Sequence, residues 1–327
     1  MSNKKTLLSG VKPTGRPHIG NYFGAMKQFV DMQDDYQAMY MIADYHALNL
    51  IQNKEELSQG IIDLTLDYLA IGLDPQKSII FKQSDVSEHT ELAWIFDTFT
   101  TMPYLMRAHA YKDAEAKDKE ISVGTFNYPM LMASDILLYD TDMVPVGQDQ
   151  KQHVEYARDT AQKFNFIFKQ EVFKLPESKI LETVAVVPGI DGQKMSKSYD
   201  NTIGLFASLE DITKAVMSIV TDSKPVDEPR NPDEDNVFKL HKLFVQGSTL
   251  YKIRERYENG KISHKESKEL LIQNIDAFIA PLREKRAQLA NDTEYVLDVL
   301  KEGGKRAKLK AEKKMETVRE VIGVKLY

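Results

Sequence analysis

TLLSGVKPTGRPHIGN, Thr6 to Asn21, joins a short apolar run at Thr6–Leu8 to a loop that carries Gly10, Gly15 and Gly20 together with His18 and Asn21. Beyond the loop, Phe23, Met26, Phe29 and Val30 recur at intervals of three and four, the spacing of one helix face. A strand, a glycine-bearing loop and a helix in that order open a parallel nucleotide-binding sheet. In such sheets ligands lie beyond the carboxyl ends of the strands, and a helix N-terminus there favours an anion. Glycines let the backbone come close to what is bound. The loop is neither GxGxxG nor a Walker sequence, because no Gly-Lys-Ser/Thr follows. Taken alone it reads equally well as a glycine-rich turn with a surface histidine.

Working outward, Ala38–Ala43 (AMYMIA) reads as a second strand, Lys54–Ile71 as a long helix stopped by Gly72, and Ser78–Gln83 as a third strand. Residues 88–140 read as mainly helical around a charged loop at 112–120, followed by a strand at Met143–Val146 and a helix over about 149–164. Thr183–Val187 is the last expected strand and leads into the loop Pro188–Tyr199. Past residue 206 only helical spacing remains, at 209–220, 236–246, 265–290, 293–302 and 307–321. The fold expected is α/β: a doubly wound, Rossmann-like parallel-sheet domain over 1–205 with a helical insertion at about 85–140, then an all-helical domain over 206–327.

Composition agrees and narrows the classes. A chain of 327 residues accommodates roughly two domains of about 150 residues each. Apolar residues at 42 % and charged residues at 28 % are those of a folded globular chain. The absence of cysteine removes disulfides, thiolate zinc sites and cysteine nucleophiles, and fits a reducing compartment. No apolar stretch approaches the ~20 residues of a membrane helix, and the first residues lack a signal-peptide core, so a cytoplasmic protein with no membrane role is expected. The net charge of −6 argues against a broad nucleic-acid-binding field, although residues 301–327 hold nine Lys/Arg against four Asp/Glu. That basic tail reads either as a phosphate contact or as a solvated amphipathic helix.

A second loop, Asp191-Gly192-Gln193-Lys194-Met195-Ser196-Lys197-Ser198, follows the last expected strand. Two lysines three apart on a Gly/Ser loop can wrap a polyphosphate, whereas a solvated basic turn is the bland reading. The pair of loops decides between them. PTGRPHIGN resembles the first signature of class I aminoacyl-tRNA synthetases, the HIGH type, and KMSKS matches their second letter for letter, in the right order and about 170 residues apart. Ala43–Ala47 (ADYHA), Tyr128–Tyr139 (YPMLMASDILLY) and the run VPVGQDQKQH (144–153) resemble the bacterial tryptophanyl-tRNA synthetases in particular. The likeness extends over almost the whole chain.

The residues of the second run, Tyr128–Tyr139, support that choice physically. On a helix, Met132 and Asp135 are three apart and share a face, so a thioether and a carboxylate can line one pocket. An indole offers one N–H donor and a wide apolar face, which an acceptor beside a methionine suits. Asp135 on the exposed side of an amphipathic helix is the competing reading.

What the resemblance implies is two-step chemistry: tryptophan and ATP give tryptophanyl-adenylate and pyrophosphate, and a terminal ribose hydroxyl of tRNA then accepts the amino acid. His18, Asn21, Lys194 and Lys197 are implied as catalytic. Lys12, Thr14, Gly20, Asn21, Asp149, Lys194, Met195, Ser196 and Lys197 are implied at ATP, with Mg²⁺ arriving on the nucleotide. Leu8, Gly10, His46, Met132, Asp135, Val144, Val146 and Gln150 are implied around tryptophan. His46 also reads as an ordinary core histidine. Lys12, Leu8 and Tyr45 depart from the residues common in bacterial members, and either Lys112 or Lys117 stands for the lysine of the mobile segment. The helical C-terminal part implies anticodon recognition, and residues around 85–140 a homodimer. Tyrosyl-tRNA synthetases share the fold and both signature types. A silent paralogue that binds tryptophan or RNA would have no need of the four catalytic side chains.

Overall fold

The structure, a computed structural model, describes residues 4–116, 120–147, 151–180, 186–222, 225 and 228–327. The chain forms two compact units, each discontinuous in sequence: Met1–Gly15, Asp31–Leu181 and Asp292–Tyr327 make the first, and Arg16–Val30 with Glu182–Asn291 the second. Compaction therefore cuts the chain elsewhere than at 205/206.

The first unit holds five strands, β1 (Thr6–Val11), β2 (Gln37–Ile42), β3 (Ile79–Lys82), β4 (Met143–Val146) and β5 (Glu177–Ile180), in the order β3-β2-β1-β4-β5. All pairings are parallel, with Leu8 opposite Met39, Met39 opposite Ile79, and Met143 opposite Glu177. β2 is buried almost throughout, as the apolar run AMYMI of a doubly covered parallel strand requires. The connection to β3 is the helix Lys54–Ile71, begun by Asn53 accepting from the Glu56 N–H at 2.9 Å and ended by Gly72 at φ 110°. Because β1 runs on to β2 on one side and pairs with β4 on the other, the order reverses between β1 and β4, the switch point at which doubly wound sheets hold ligands.

One expectation is corrected in this unit, and the strand expected at Thr183–Val187 falls largely outside the described residues. The last described strand is Glu177–Ile180. Of the expected strand, residues 183–185 lie outside the described ones, and Val186 and Val187 are not in a strand. β5 escaped notice because an edge strand held by its backbone ladder to β4 needs no apolar run. The helices expected at 293–302 and 307–321 are one helix, Thr293–Val321. Gly303-Gly304 reads as a break but is a packing device: a Cβ at Gly303 would run into the Ile80 carbonyl of β3, and one at Gly304 would meet Asp85 at 3.0 Å. Ala307, Ala311, Met315 and Val318 then join Phe81, Leu8 and Val144 in one buried cluster.

Part of the basic tail is used within the unit. Arg306 donates to the Pro75 carbonyl at 2.9 Å, Lys314 to the Val172 carbonyl at 2.9 Å and to Asp140 at 2.6 Å, and Arg319 pairs with Glu91. Three of its cations thus fasten the helix to its own unit.

Described helices of the second unit include Leu209–Met217, Asn236–Phe244, Gly247–Glu258 and His264–Ala290, the third of which was not expected. Its core joins Ile212, Val216, Leu240, Leu271, Ile275 and Ile279 to Ile19, Phe23, Met195 and Ile203. Phe23 stacks on Phe278 and meets Phe244 edge-on, with centroids 5.6 and 5.4 Å away. The helix that follows the first signature is therefore built into the helical unit.

Candidate active site

In the second unit the two signature segments are tied together through backbone. His18 bridges antiparallel to Gly204, the Ile19 N–H donates to the Ile203 carbonyl at 2.9 Å, and the Leu205 N–H donates to the Pro17 carbonyl at 3.0 Å. Ile203–Leu205 follow KMSKS by a few residues, so the loops expected to act together are brought together.

The first loop is ordered by a capping box. Asn21 N–H donates to His18 Nδ1 at 3.2 Å, and Asn21 Oδ1 accepts from the His18 N–H at 3.1 Å. Burial first, then Lys197, lowers the His18 pKa to about 4, so the ring is neutral at pH 7. A neutral ring accepting at Nδ1 carries its proton on Nε2, where it is a donor. Gly20 is needed beneath that ring: a Cβ there would lie 2.9 Å from His18 Nδ1 and 3.3 Å from Met195 Cβ.

The second loop is a hairpin wrapped around one buried side chain. The Gly189 N–H donates to Gln193 at 2.7 Å, the Met195 N–H donates to Val187 at 2.9 Å, and Pro188 bridges Lys194. Asn201, 1 % exposed, accepts from the Ser196 N–H at 2.8 Å and donates to Asp191 at 2.8 Å and to the Lys194 carbonyl at 3.2 Å. Gly189 has no side chain because one would run into the Asn201 amide. Met195 is buried while Lys194 and Lys197 on either side are exposed. The motif thus alternates anchor and reach, with Ser196 capping the turn Lys197–Tyr199. Asn201 was missed in the sequence, where an Asn after Asp in a loop gives no signal.

Lys12 and Thr14 belong to the first unit, in a turn closed by the Thr14 N–H donating to the Lys12 carbonyl at 2.8 Å. That turn lies on the helix Lys54–Ile71 where Gly60 leaves room, since a Cβ there would stand 2.5 Å from the Pro13 carbonyl. Lys112 is exposed on a short helix. Asp149, Gln150 and Lys117 lie outside the described residues.

The tryptophan candidates gather in the first unit. Leu8 of β1 and Val144 of β4 are buried in the main cluster, with Met132 and Val146 packed at its margin. Gly10 is exposed at the end of β1, where a Cβ would meet the Met41 methyl at 3.0 Å. Asp135, on the helix Val123–Leu137, is 3 % exposed, which excludes the solvent-face reading. His46 Nε2 lies 2.9 Å from its Oδ2, and Gln83 Nε2 donates to Oδ1 at 2.8 Å. Burial alone would push this carboxyl up; His89 and His46 outweigh it and hold the pKa at about 2.

The position of His46 comes from Asp44. Its carboxylate accepts from the Ser84 N–H at 3.0 Å and the Ser84 hydroxyl at 2.5 Å, which brackets Asp44–Ala47 against Gln83–Asp85. His89 and Gln83 were not anticipated, and neither was Tyr128, whose ring meets His46 edge-on at 6.4 Å. A cleft of about 540 Å³ lined by Lys4, Tyr36, Lys77, Arg306 and Lys310 opens at the amino ends of β2 and β3, the wrong end of a parallel sheet for its ligand.

With this geometry in view, similarity to known proteins has a physical content. Residues 2–280 match the family described as tRNA synthetases class I (W and Y). The chain is 49 % identical to a tryptophan–tRNA ligase of Fusobacterium nucleatum over 98 % of both chains, and 45 % identical to one of Rhodopirellula baltica over 98 % of this chain and 99 % of that one. The Campylobacter jejuni tryptophanyl-tRNA synthetase solved with ADP and tryptophan superposes with a TM-score of 0.93 at 45 % identity, covering 97 % of this chain and 99 % of that one. Paired signatures, a parallel sheet and end-to-end likeness agree, and the chain belongs to the class I tRNA synthetases of the tryptophan and tyrosine family.

Proposed function

We propose that this chain activates L-tryptophan with ATP, forming tryptophanyl-adenylate and pyrophosphate, and transfers the amino acid to tRNA(Trp). The observation that carries the reading is the identity of 45–49 % to curated tryptophan–tRNA ligases across nearly the whole of both chains.

In the first step a carboxylate oxygen of tryptophan attacks the α-phosphorus, and the bond to the bridging oxygen of pyrophosphate breaks. The carboxylate is already ionised, so no general base is required; positioning and charge stabilisation do the catalysis. His18 offers its Nε2–H to a phosphate oxygen without carrying charge, and Asn21 holds that ring in place. Lys194 and Lys197 follow the charge that grows on pyrophosphate, with Ser196 shaping their turn and Gly20 and Met195 supporting the imidazole from below. Lys12, Thr14 and Asp149 complete the ATP set. Mg²⁺ would arrive with ATP, held mainly by phosphate oxygens, and would help neutralise the charge on pyrophosphate. In the second step the terminal ribose hydroxyl of tRNA attacks the activated carbonyl and AMP leaves.

Tryptophan binds with its indole N–H on Asp135 and its ring among Leu8, Gly10, Met132, Val144 and Val146, with His46 and Gln150 orienting it. Residues 206–327 carry anticodon recognition, read by stacking and edge contacts rather than by a basic field. The protein acts in the cytoplasm as a homodimer built on residues 85–140. The exposure there of Trp94 (71 %), Met102 (64 %) and Val123 (81 %) supports that surface. Among the described residues no helix is long and apolar enough to cross a membrane.

ATP–pyrophosphate exchange tests the reading. Exchange that depends on tryptophan supports it, dependence on tyrosine replaces it with the tyrosyl activity, and no exchange with either amino acid leaves a binding protein.

A further inference from the structure

Asp135 is held by side chains from three other segments. Besides His46 and Gln83, His89 of the helix Glu88–Asp97 brings Nδ1 to 2.6 Å from Asp135 Oδ1. At that separation a donor must face the acceptor, although the angle is bent away from an aligned hydrogen bond. His89 is wholly buried, and its other nitrogen, Nε2, lies 2.8 Å from the Tyr139 hydroxyl. Phe81 stacks on the imidazole at 6.3 Å and meets Tyr139 edge-on at 5.7 Å, while the His89 carbonyl accepts from the Ser134 hydroxyl at 2.8 Å. Nε2 is thus hydrogen-bonded and Nδ1 lies against the carboxylate without an aligned hydrogen bond, both inside an apolar wall.

We infer that His89, backed by Tyr139, is a positioning residue that fixes the Asp135 carboxylate as an acceptor with one vacancy, matched to the single N–H of an indole. This rests on the tryptophan reading of the pocket above. The argument is a count of lone pairs. A carboxylate offers about four acceptor sites. Gln83 donates to Oδ1 and His89 lies against it, which fills it, whereas among the described residues His46 alone faces Oδ2 and leaves one. An indole fills that place, and a ring without a donor leaves a desolvated lone pair unmet, which is how a buried polar site rejects an analogue.

Without His89, Oδ1 recovers a vacancy and the carboxylate is free to turn. Burial also then favours the protonated acid, which meets an N–H as a second donor. Among the described residues the ionisable groups facing this carboxylate are His46 and His89, with Glu88 acting on Tyr139. Burial first, then Asp135 and Glu88, pushes the Tyr139 phenol up, so it stays protonated and aims its O–H at Nε2, leaving the Nδ1 proton for Asp135.

Tryptophan-dependent ATP–pyrophosphate exchange between about pH 5.5 and 8.5 tests this on the full-length protein. For the unaltered chain the tryptophan KM stays flat. His89→Phe, which keeps the stacked ring, should raise it about tenfold at the acid end and less at the alkaline end, with kcat within about threefold. His89→Asn, whose amide nitrogen can stand in for Nδ1, should recover most of the loss. Tyr139→Phe should shift KM about two- to threefold with the same pH trend. A rise equal at every pH, or His89→Asn no better than His89→Phe, overturns the inference. Asp135→Asn separates the two levels: an unchanged KM there sinks the pocket reading itself, whereas a raised KM beside a silent His89→Phe sinks only the role of His89. Should His89→Phe lose cooperative melting, His89→Asn and Tyr139→Phe carry the same pH readout.

Discussion

The two candidate regions are built in opposite ways. In the second unit the signature loops are joined backbone to backbone, anchored by buried Met195 and Asn201, and their lysines are exposed. In the first unit Asp135 is joined side chain to side chain, buried, with donors on three sides. Charge that appears only as pyrophosphate departs is served by cations on an anchored loop, since they count most in the transition state. A choice between amino acids is made when the ring is bound, and it needs a desolvated acceptor that cannot turn away. The difference predicts that lesions in one region change kcat and lesions in the other change the tryptophan KM.

Lys197→Ala is the strongest attempt to break that division. Loss of one well-placed charge donor lowers kcat by ~10²–10³ in typical cases, and the tryptophan KM should move less than about threefold. Single-turnover adenylate formation measures it; a KM that climbs while kcat holds would erase the distinction. Asp135→Asn is the mirror experiment, expected to raise the tryptophan KM about 10- to 100-fold, the worth of a hydrogen bond to a buried charge, with a smaller effect on kcat. Asn201→Ala sharpens the picture by touching no ligand. It leaves the Ser196 N–H without its acceptor and frees the hairpin, so kcat should fall about tenfold at a stability cost of ~1–3 kcal/mol, read by chemical denaturation. An Asn201→Ala protein with full kcat would show that hairpin order is irrelevant to turnover.

The same contrast explains what could be read from the residues alone. The phosphate loops are contiguous, so glycines, His18 and KMSKS stand together in the chain, and their joining through Ile203–Leu205 required only that both fold beside one core. Strands β1 to β4 were legible because fully covered parallel strands are apolar runs. β5 was not, since Glu177-Ser178-Lys179-Ile180 is an edge held by backbone pairing. Gly303-Gly304 misled for a different reason. A glycine pair signals a break when nothing touches it and close approach when a strand does, and only the fold says which. The helix spacing of Met132 and Asp135 pointed to a shared face, yet His89, 46 residues upstream of Asp135, enters the pocket only through tertiary packing. A lone histidine in SEHTELAW carries no local mark of its partner.

The regions should also part company on acidification, by a smaller effect. In the second unit burial lowers the His241 pKa from 6.5 to about 4 against the opposing pull of the Ser267 carbonyl, and His18 is lowered likewise. The unfolded chain then takes up a proton near pH 6.5 that the folded chain refuses until about 4, so stability is full above 6.5 and falls as pH drops through that window. Asp135 has the same sign in a lower window: held at about 2 against an ordinary 3.8, it contributes above 3.8 and is lost only as pH falls from there towards 2. The two histidines whose pKa is lowered to about 4, His241 and His18, both lie in the second unit, and the Asp135 window lies below theirs. His241→Gln keeps a donor for the Ser267 carbonyl but cannot take a proton. It should be somewhat less stable than the parent at pH 7 and close that gap towards pH 4.5, the relative change being on the order of 2 kcal/mol. Urea denaturation at a series of pH values measures it. Parallel pH profiles for the two proteins would mean that His241 is not the group that titrates, and the acid sensitivity would then have to be sought at His18, inside the phosphate loop itself.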